Sequence, residues 1–474
     1  LKTRRKAEGE RRRGGRAKRD AGHPSSLIPH PSRGGTGSRR AINVGLLGIG
    51  TVGSGTFAVL ARNQEEIARR AGCAITMKMV ADKDLDRARK LVGKAAIVTG
   101  DANEVVASPD IDIVVELIGG TSIAKELILK AIANGKHVVT ANKSLLAQHG
   151  NEIFAAAQKK DVMVAFEAAV GGGIPIIKSL REGLTANRIE WIAGIINGTS
   201  NFILSEMRDK GAGFDDVLKE AQRRGYAEAD PTFDIEGVDA AHKLTIMAAI
   251  GFGIPMQFKA AYTEGISKLT REDIRYAEEL GYRIKLLGIT KRKEKGIELR
   301  VHPTLIPERR LIANVEGVMN AILVKGDAVG QTMYYGAGAG SEPTASAVVA
   351  DLVDVARMMT ADPEHRVPHL AFQPDQLSST PILPMGEVES AYYLRMRVLD
   401  KPGVLADITR VLADLSISID AMVQKEPSEG EEQVDIIMLT HLTVEKHADA
   451  AIRKIEGLPV VVGKVTRIRL EELN

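Results

Sequence analysis

Apolar and β-branched residues gather in short continuous runs at Ile42–Leu47, 74–82, 111–119, 137–142 and 161–166. Between these runs the apolar positions recur at helical spacing, over 87–93, 101–107, 122–134 and 143–159. Unbroken apolar strands joined by amphipathic helices predict a parallel sheet covered on both faces, hence a Rossmann-type, doubly wound α/β domain. A glycine turn follows the first run and opens a helical pattern through Val59 and Ile67. From about 173 the texture changes to a mixture of strands and helices, read as a second, α+β domain. A glycine-rich stretch over 334–359 then opens a long helix, and the proline-punctuated 361–388 has no period and reads as a linker. The last block, 389–474, reads strand, helix, two strands, helix, strand: a compact, separate βαββαβ module.

Composition changes this picture little, because 44% hydrophobic and 26% charged residues in a chain of 474 are ordinary for a protein of two or three domains. The net charge of +3 conceals an asymmetry. Residues 1–40 carry thirteen Lys/Arg and three acids, which leaves the other 434 residues acidic by seven charges. Nucleic acid is therefore not an expected partner of the body. The basic segment has no apolar core and is not a secretory signal. A transit peptide or a nucleic-acid arm are open readings, but its aperiodic Gly/Arg-rich composition makes a disordered extension the expectation. Cys73 is the single cysteine, so no internal disulfide forms and no metal-ligand spacing exists. No apolar run reaches membrane-spanning length, and a cytoplasmic enzyme or sensor is expected.

Candidate chemistry begins at Gly48, Gly50 and Gly53, a G-x-G-x-x-G directly between the first strand and its helix. The first glycine permits the turn, the second lets backbone approach a pyrophosphate, and the third allows close helix–strand packing. At the end of the second strand, Asp82 is placed for ribose hydroxyls and favours NAD. Lys83 and Arg87 beside it are placed for a 2′-phosphate and favour NADP. Lys143 stands at the carboxyl end of another strand, where ligands of such sheets bind and where a helix-opening lysine opposes the macrodipole. A surface lysine is the competing reading. Glu167 precedes a triple glycine, either as an oxygen ligand for a monovalent cation or as part of a simple tight turn. In "IINGTSNFIL", Asn197, Gly198 and Thr199 are placed to bind the ends of an amino acid; the alternative is an N-cap, with Thr199 or Ser200 starting a helix.

The densest signal is "GYAEADPTFDIEGVDAAHK", with Glu228, Asp230, Asp234, Glu236 and Asp239 ahead of Lys243. A helix starting near Gly237 puts Asp239 and Lys243 at i and i+4 on one face, which alone is as well explained by a surface ion pair. On this reading His242 lies on the helix surface, Glu236 is solvated, and Asp230 and Asp234 shape the loop. In the C-terminal module, Asp400, Pro402 and Gly403 form a strand–helix turn, suited to an amino-acid carboxylate or to dimer contacts.

Together these motifs resemble homoserine dehydrogenase, in its monofunctional form with a C-terminal ACT domain. "VVTANKSLLA", "INGTSNFIL" and A-x3-G-Y-x-E-x-D-P-x2-D-I-x-G-x-D-x3-K, from Ala221 to Lys243, carry the likeness over about 41–474. Residues 1–40 are too few to fold an aspartokinase domain. The resemblance implies reversible NAD(P)-dependent reduction of L-aspartate 4-semialdehyde to L-homoserine, on the route to threonine, methionine and isoleucine. It implies an NAD(P)-binding domain over 41–172 completed by 334–360, a catalytic and dimerisation domain over 173–333, and an ACT regulatory domain over 389–474. It implies that Gly48, Gly50, Thr51, Val52, Gly53, Lys143 and Gly340 line the cofactor. It makes Lys243, Lys143 and Asp239 catalytic, and Glu228, Gly198, Thr199 and Tyr226 substrate-binding, with Glu228 on the substrate ammonium. Glu167, Val170, Gly172 and Ile174 match a structural sodium site. Asp400, Pro402, Gly403, Val404 and Leu405 match an effector turn, with threonine the expected ligand, although the inserted "EPSEGEEQ" lengthens the nearby hairpin. A homodimer or homotetramer is expected.

The residue types suit the chemistry. A lysine ammonium stabilises the alkoxide left by hydride delivery and donates its proton. Two other readings stay open on sequence: a non-catalytic amino-acid sensor with the same domains, and a different ACT-bearing amino-acid dehydrogenase.

Overall fold

The computed structural model describes residues 40–425, 430 and 432–474. The basic extension, apart from its last residue, and most of the 426–433 insertion lie outside them. The apolar runs form a six-stranded sheet: β1 (Ile42–Leu47), β2 (Ile75–Ala81), β3 (Ile97–Thr99), β4 (Ile113–Glu116), β5 (His137–Thr140) and β6 (Val164–Ala165). The order is 3-2-1-4-5-6 and every pairing is parallel. Strand order reverses between β1 and β4, which opens a crevice at their carboxyl ends where such sheets bind nucleotides. Two details differ from the pattern. The helix after β1 divides at Asn63 into Thr51–Arg62 and Gln64–Ala71. β3 escapes prediction because this edge strand is three residues long, too short for a period, and leaves Ile97 58% exposed.

One face of this sheet is closed from far along the chain. Val348 and Leu352 of the helix Ser341–Met358 pack into the same core as Leu46, Val115 and Val139. The Ser341 hydroxyl donates to the Thr51 carbonyl at 2.7 Å, and Arg62 pairs with Glu342 at 2.8 Å. The return to this domain starts later than 334, because residues 334–337 belong to a strand of the second sheet.

That second sheet contains β7 (Ile189–Ile195), β8 (Tyr262–Thr263), β9 (Tyr282–Arg292), β10 (Ile297–Pro307), β11 (Met319–Gly326) and β12 (Gly330–Ala337). Its antiparallel order is β12-β11-β7-β9-β10, and β8 adds to β10 in parallel. The helix Val238–Phe252 packs on it and is buried from Asp239 to its end. "KLTIMAAIGF" has no polar face, so this helix is enclosed on all sides.

The C-terminal block holds β13 (Glu389–Leu399), the helix Val404–Asp414, β14 (Ile419–Gln424), β15 (Gln433–Thr440), β16 (Thr443–Val444), the helix Glu445–Glu456 and β17 (Val461–Leu470). Its elements follow the predicted order, with β16 as a two-residue addition paired to β13. It is not separate, however. β17 pairs with β13 on one side and, through Arg469 and Leu470, with Thr304 and Leu305 of β10 on the other, so one sheet runs through both units. Buried charges line this seam. Arg300 lies between Glu298 and Glu471, and Arg469 contacts Glu445, Glu264 and the Tyr262 hydroxyl.

The 361–388 segment forms short turns and one β-bridge, from Ile382 to Ile297, and is bound to the body. His369 Nε2 accepts from the Val164 N–H at 3.0 Å, the Ser378 N–H donates to the Gly253 carbonyl at 2.7 Å, and Leu370 is buried. Among the described residues no helix is long and apolar enough to cross a membrane.

Candidate active site

The glycine turn after β1 has the shape its sequence demands. Gly48 has φ of +90°, and a side chain at Gly53 would strike the Gly48 carbonyl oxygen at 2.1 Å. At Gly50, by contrast, a Cβ would meet nothing within 4 Å, so the middle of the turn presents bare backbone to open space. Thr51 and Val52 open the following helix, whose N–H groups face the same crevice end. Gly340 caps the returning helix beside Thr51. These residues fit a dinucleotide pyrophosphate. Asp82 accepts the Ile49 N–H at 2.7 Å and the Asp84 N–H at 2.9 Å, tying the end of β2 to the glycine turn. Lys83 and Arg87 are exposed beside it.

At the carboxyl ends of β4 and β5 a second network sets the entry to the helix Lys143–Lys159. Glu116, fully buried, accepts the Thr140 hydroxyl at 2.7 Å and the N–H groups of Ile118 and Gly119 at 2.9 and 3.0 Å. The Thr140 oxygen accepts the Asn142 N–H, and the Asn142 side chain donates to the Gly120 carbonyl and accepts from the Leu145 N–H. Lys143 is therefore the first residue of a helix whose start is locked to the β4 loop.

From there Lys143 reaches into a cleft of about 410 Å³ between the two sheets, lined also by Asn197, Gly198, Thr199, Tyr226, Asp234 and Lys243. At its base Asp239 bridges two lysines, with Lys243 Nζ at 2.7 Å and Lys143 Nζ at 3.3 Å. Lys243 Nζ also donates to the Ile196 carbonyl at 2.7 Å. Burial would raise the Asp239 carboxyl, but the Lys243 and Lys143 charges outweigh it and hold it well below the usual carboxylate range. Burial pushes the Lys243 ammonium below its ordinary value, with Asp239 opposing that and Lys143 adding to it. The helix pair at i and i+4 is thus no surface ion pair, since Asp239 is 3% and Lys243 8% exposed.

Asn197 organises the opposite wall. Its Oδ1 accepts the Ser200 N–H, so Asn197 rather than Thr199 or Ser200 caps the helix Gly198–Lys210. Its Nδ2 donates to Asp234 at 2.8 Å and to Asp239 at 2.9 Å. The Thr199 hydroxyl donates to the Tyr226 carbonyl at 2.7 Å, and the Tyr226 ring meets Phe202 edge-on.

Several expectations change here. Asp234 belongs to the cleft, where burial and then the Asp239 charge raise its carboxyl while the Asn197 hydrogen bond lowers it. Glu228 is exposed and does not line the cleft; its backbone carbonyl accepts from the Gln222 side chain. Glu236 is half-buried and accepts the Ser267 hydroxyl at 2.6 Å. His242 is 2% exposed, packed on Phe258, and burial depresses its imidazole to about 4. Sequence reasoning missed Asn320 and Glu116 altogether. Asn320 lines the cleft with its Oδ1 buried and without a hydrogen-bond partner among the described residues. Both sit at ends of strands, Glu116 closing β4 and Asn320 near the start of β11, the one signal that singles them out.

The remaining predicted positions form two separate places. Glu167, Val170, Gly172 and Ile174 lie together in a buried turn. The Glu167 carboxylate accepts the N–H groups of Ile177 and Lys178, its own N–H donates to Asp351, and the Ile174 carbonyl accepts from Ile176. Asp400, Pro402 and Gly403 are exposed ahead of the helix Val404–Asp414, where Val404 is buried and Leu405 half-buried.

A dinucleotide crevice facing an amino-acid-sized cleft with a buried lysine–aspartate–lysine array defines a nicotinamide-dependent oxidoreductase of small polar substrates. The profile of the homoserine dehydrogenase catalytic domain matches residues 175–353, that of the homoserine dehydrogenase NAD-binding domain 48–167, and that of the ACT domain 392–460. The homoserine dehydrogenase of Pseudomonas aeruginosa is 63% identical over 435 residues, 92% of this chain and 100% of its own length. That of Bacillus subtilis is 40% identical over 91% of this chain and 99% of its own. The crystal structure of a homoserine dehydrogenase from Thiobacillus denitrificans superposes with a TM-score of 0.88 at 75% identity, covering 92% of this chain and 99% of that one. A hyperthermophilic archaeal homoserine dehydrogenase in complex with NADPH matches at a TM-score of 0.57 and 25% identity, over 67% of this chain and 98% of its own. The chain belongs to the homoserine dehydrogenase family. It is an NAD(P)-dependent enzyme that interconverts L-aspartate 4-semialdehyde and L-homoserine.

Proposed function

We propose that Lys243 is the proton donor of this reaction, held by Asp239 and assisted by Lys143. The observation that carries this reading is the buried Lys243–Asp239–Lys143 bridge at the base of the cleft. The reduced nicotinamide supplies the hydride to the aldehyde carbon. Lys243 Nζ, as an ammonium, gives its proton to the oxygen that becomes negative, and in reverse the neutral amine takes the hydroxyl proton. Burial favours the neutral amine and Asp239 the ammonium, so the pair keeps both states accessible. Lys143 places a second positive charge beside the developing alkoxide. Gly198, Thr199 and Tyr226 hold the amino-acid end. The ammonium counter-charge expected of Glu228 falls better to Asp234, the carboxylate that lines the cleft.

Both Asp82 oxygens already accept backbone N–H groups, while the side chains of Lys83 and Arg87 are exposed and pair with no carboxylate among the described residues. This supports NADPH over NADH, in line with the ligand of the archaeal relative. Parallel titrations with aspartate semialdehyde test it. A lower KM for NADPH is expected, a lower KM for NADH overturns the preference, and no turnover of aspartate semialdehyde with either sinks the reaction assigned to Lys243.

The all-oxygen turn of Glu167, Val170, Gly172 and Ile174 suits a hard monovalent cation. Sodium should then raise Tm over an equal concentration of choline. The turn Asp400–Leu405 is the proposed threonine site, its helix N-terminus offering N–H donors to the carboxylate. The enzyme is taken to work in the cytoplasm as a homodimer or homotetramer, which light scattering distinguishes.

A further inference from the structure

A second cleft, of about 430 Å³, lies where the C-terminal module meets the catalytic body. One wall is the helix Glu445–Glu456 with β17, and the other is the segment 264–269 that follows β8. Four cations line it, Lys268, Arg453, Lys464 and Arg467, against two carboxylates, Glu264 and Asp449. The carboxylates are already taken. Glu264 pairs with Arg469 at 2.7 Å, and Asp449 contacts Arg467. Lys464 is held by Glu456 at 2.7 Å. Lys268 and Arg453 have no hydrogen bond or ion pair among the described residues, although they face the same cleft from its two walls. Two uncompensated positive charges across one cavity with an apolar floor of Leu269 and Ile452 select a small dianion.

The body wall of this cleft is joined rigidly to the catalytic loop. The Ile266 N–H donates to the Ile235 carbonyl at 2.8 Å, and the Ser267 hydroxyl donates to Glu236 at 2.6 Å. Gly265 is pressed so closely on this loop that an added Cβ would lie 2.5 Å from the Ile235 carbonyl oxygen. Ile235 and Glu236 are flanked in sequence by Asp234 and the helix that carries Asp239 and Lys243. Whatever draws Lys268 toward the module therefore pulls on the loop that shapes the substrate cleft.

We propose that this seam is a regulatory site for a small dianion, a dicarboxylate or a phosphorylated metabolite, bound between Lys268 and Arg453. It is distinct from the effector turn at Asp400–Leu405. The proposal rests on the dehydrogenase reading, because its kinetic effect is read on aspartate semialdehyde turnover.

The test uses the full chain with succinate and inorganic phosphate as probes and the monoanion acetate as control, at constant ionic strength. At least one dianion should raise Tm and change the KM for aspartate semialdehyde several-fold, while acetate does neither. Lys268→Gln with Arg453→Gln should abolish both effects and leave the probe-free kinetics unchanged. Ser267→Ala should keep the Tm rise and weaken the KM change. A response to succinate alone assigns a dicarboxylate, and to phosphate alone a phosphorylated ligand. No Tm rise with either probe, a rise without any kinetic change, or an undiminished response in the double variant overturns the site. Basal turnover of the double variant tests the dehydrogenase reading separately.

Discussion

At the residue scale, the proposed proton transfer rests on the buried array Lys143–Asp239–Lys243. Lys243→Ala should lower turnover by orders of magnitude and leave NADPH affinity nearly unchanged, measured by steady-state rates and cofactor fluorescence titration. Asp239→Asn removes the charge that favours the Lys243 ammonium. In homoserine oxidation, where the neutral amine is the base, the acid limb of the pH–rate profile should move to lower pH. A limb that stays in place or moves up would exclude the pairing as the control on Lys243. The two carboxylates of the acidic loop also separate here. Asp234→Asn should raise the KM for aspartate semialdehyde at least tenfold, whereas Glu228→Gln, at an exposed position, should change it little. Equal effects would return the ammonium to Glu228. The family was legible in the long motif ending at Lys243, and the resemblance it carries directed attention to Asp239 and Lys243. The assignments of Asp234, Glu236 and His242 were not. Asp234 is held by Asn197, Glu236 by Ser267 and His242 against Phe258, and these contacts are with residues outside the loop's own sequence.

At the scale of elements, the network from Glu116 through Thr140 and Asn142 positions Lys143. Glu116→Gln should lower kcat more than it raises the cofactor KM, because the helix start moves while the glycine turn remains. The β5–β6 edge gives a pH dependence of known sign. His137 accepts the Met163 N–H and His369 the Val164 N–H, and burial depresses both rings to about 4. A folded pKa below the unfolded value of about 6.5 means that the unfolded chain binds protons first. Stability should therefore fall as pH drops from about 6.5 toward 4, on the order of 3 kcal/mol per ring. His369→Gln, which keeps an acceptor, should flatten the denaturation-versus-pH slope in that window. Element boundaries in the first domain were readable because buried parallel strands leave unbroken apolar runs. β3 and the turns of 361–388 were not, since edges and proline-rich segments are fixed by what they pack against.

At the scale of the molecule, the seam argues against a detachable regulatory module. Arg300, fully buried, is neutralised by Glu298 and by Glu471 from beyond β17. Removing one partner of a buried ion pair costs about 3–5 kcal/mol, because the other charge is left desolvated. Glu471→Gln should lower the urea midpoint accordingly, and a chain cut at 388 should be far less stable than a simple loss of regulation implies. A truncated enzyme with the full-length melting temperature would refute this. The βαββαβ order was visible in the sequence, but its fusion to β10 was not, because two ladder pairs leave no compositional trace.

That fusion bears on how the chain reaches its native state. β10 is complete by residue 307 and β8 pairs with it at Arg300 and Val301, yet its outer edge at Thr304 and Leu305 is covered only when β17 arrives, more than 150 residues later. Until then the nascent protein presents a short unpaired strand end near Arg300, whose guanidinium has Glu298 but still lacks Glu471. The interval is one in which strand addition from another molecule competes with the chain's own ending. Yield of active enzyme should thus depend on chaperone supply and synthesis rate more than on the stability of the finished fold.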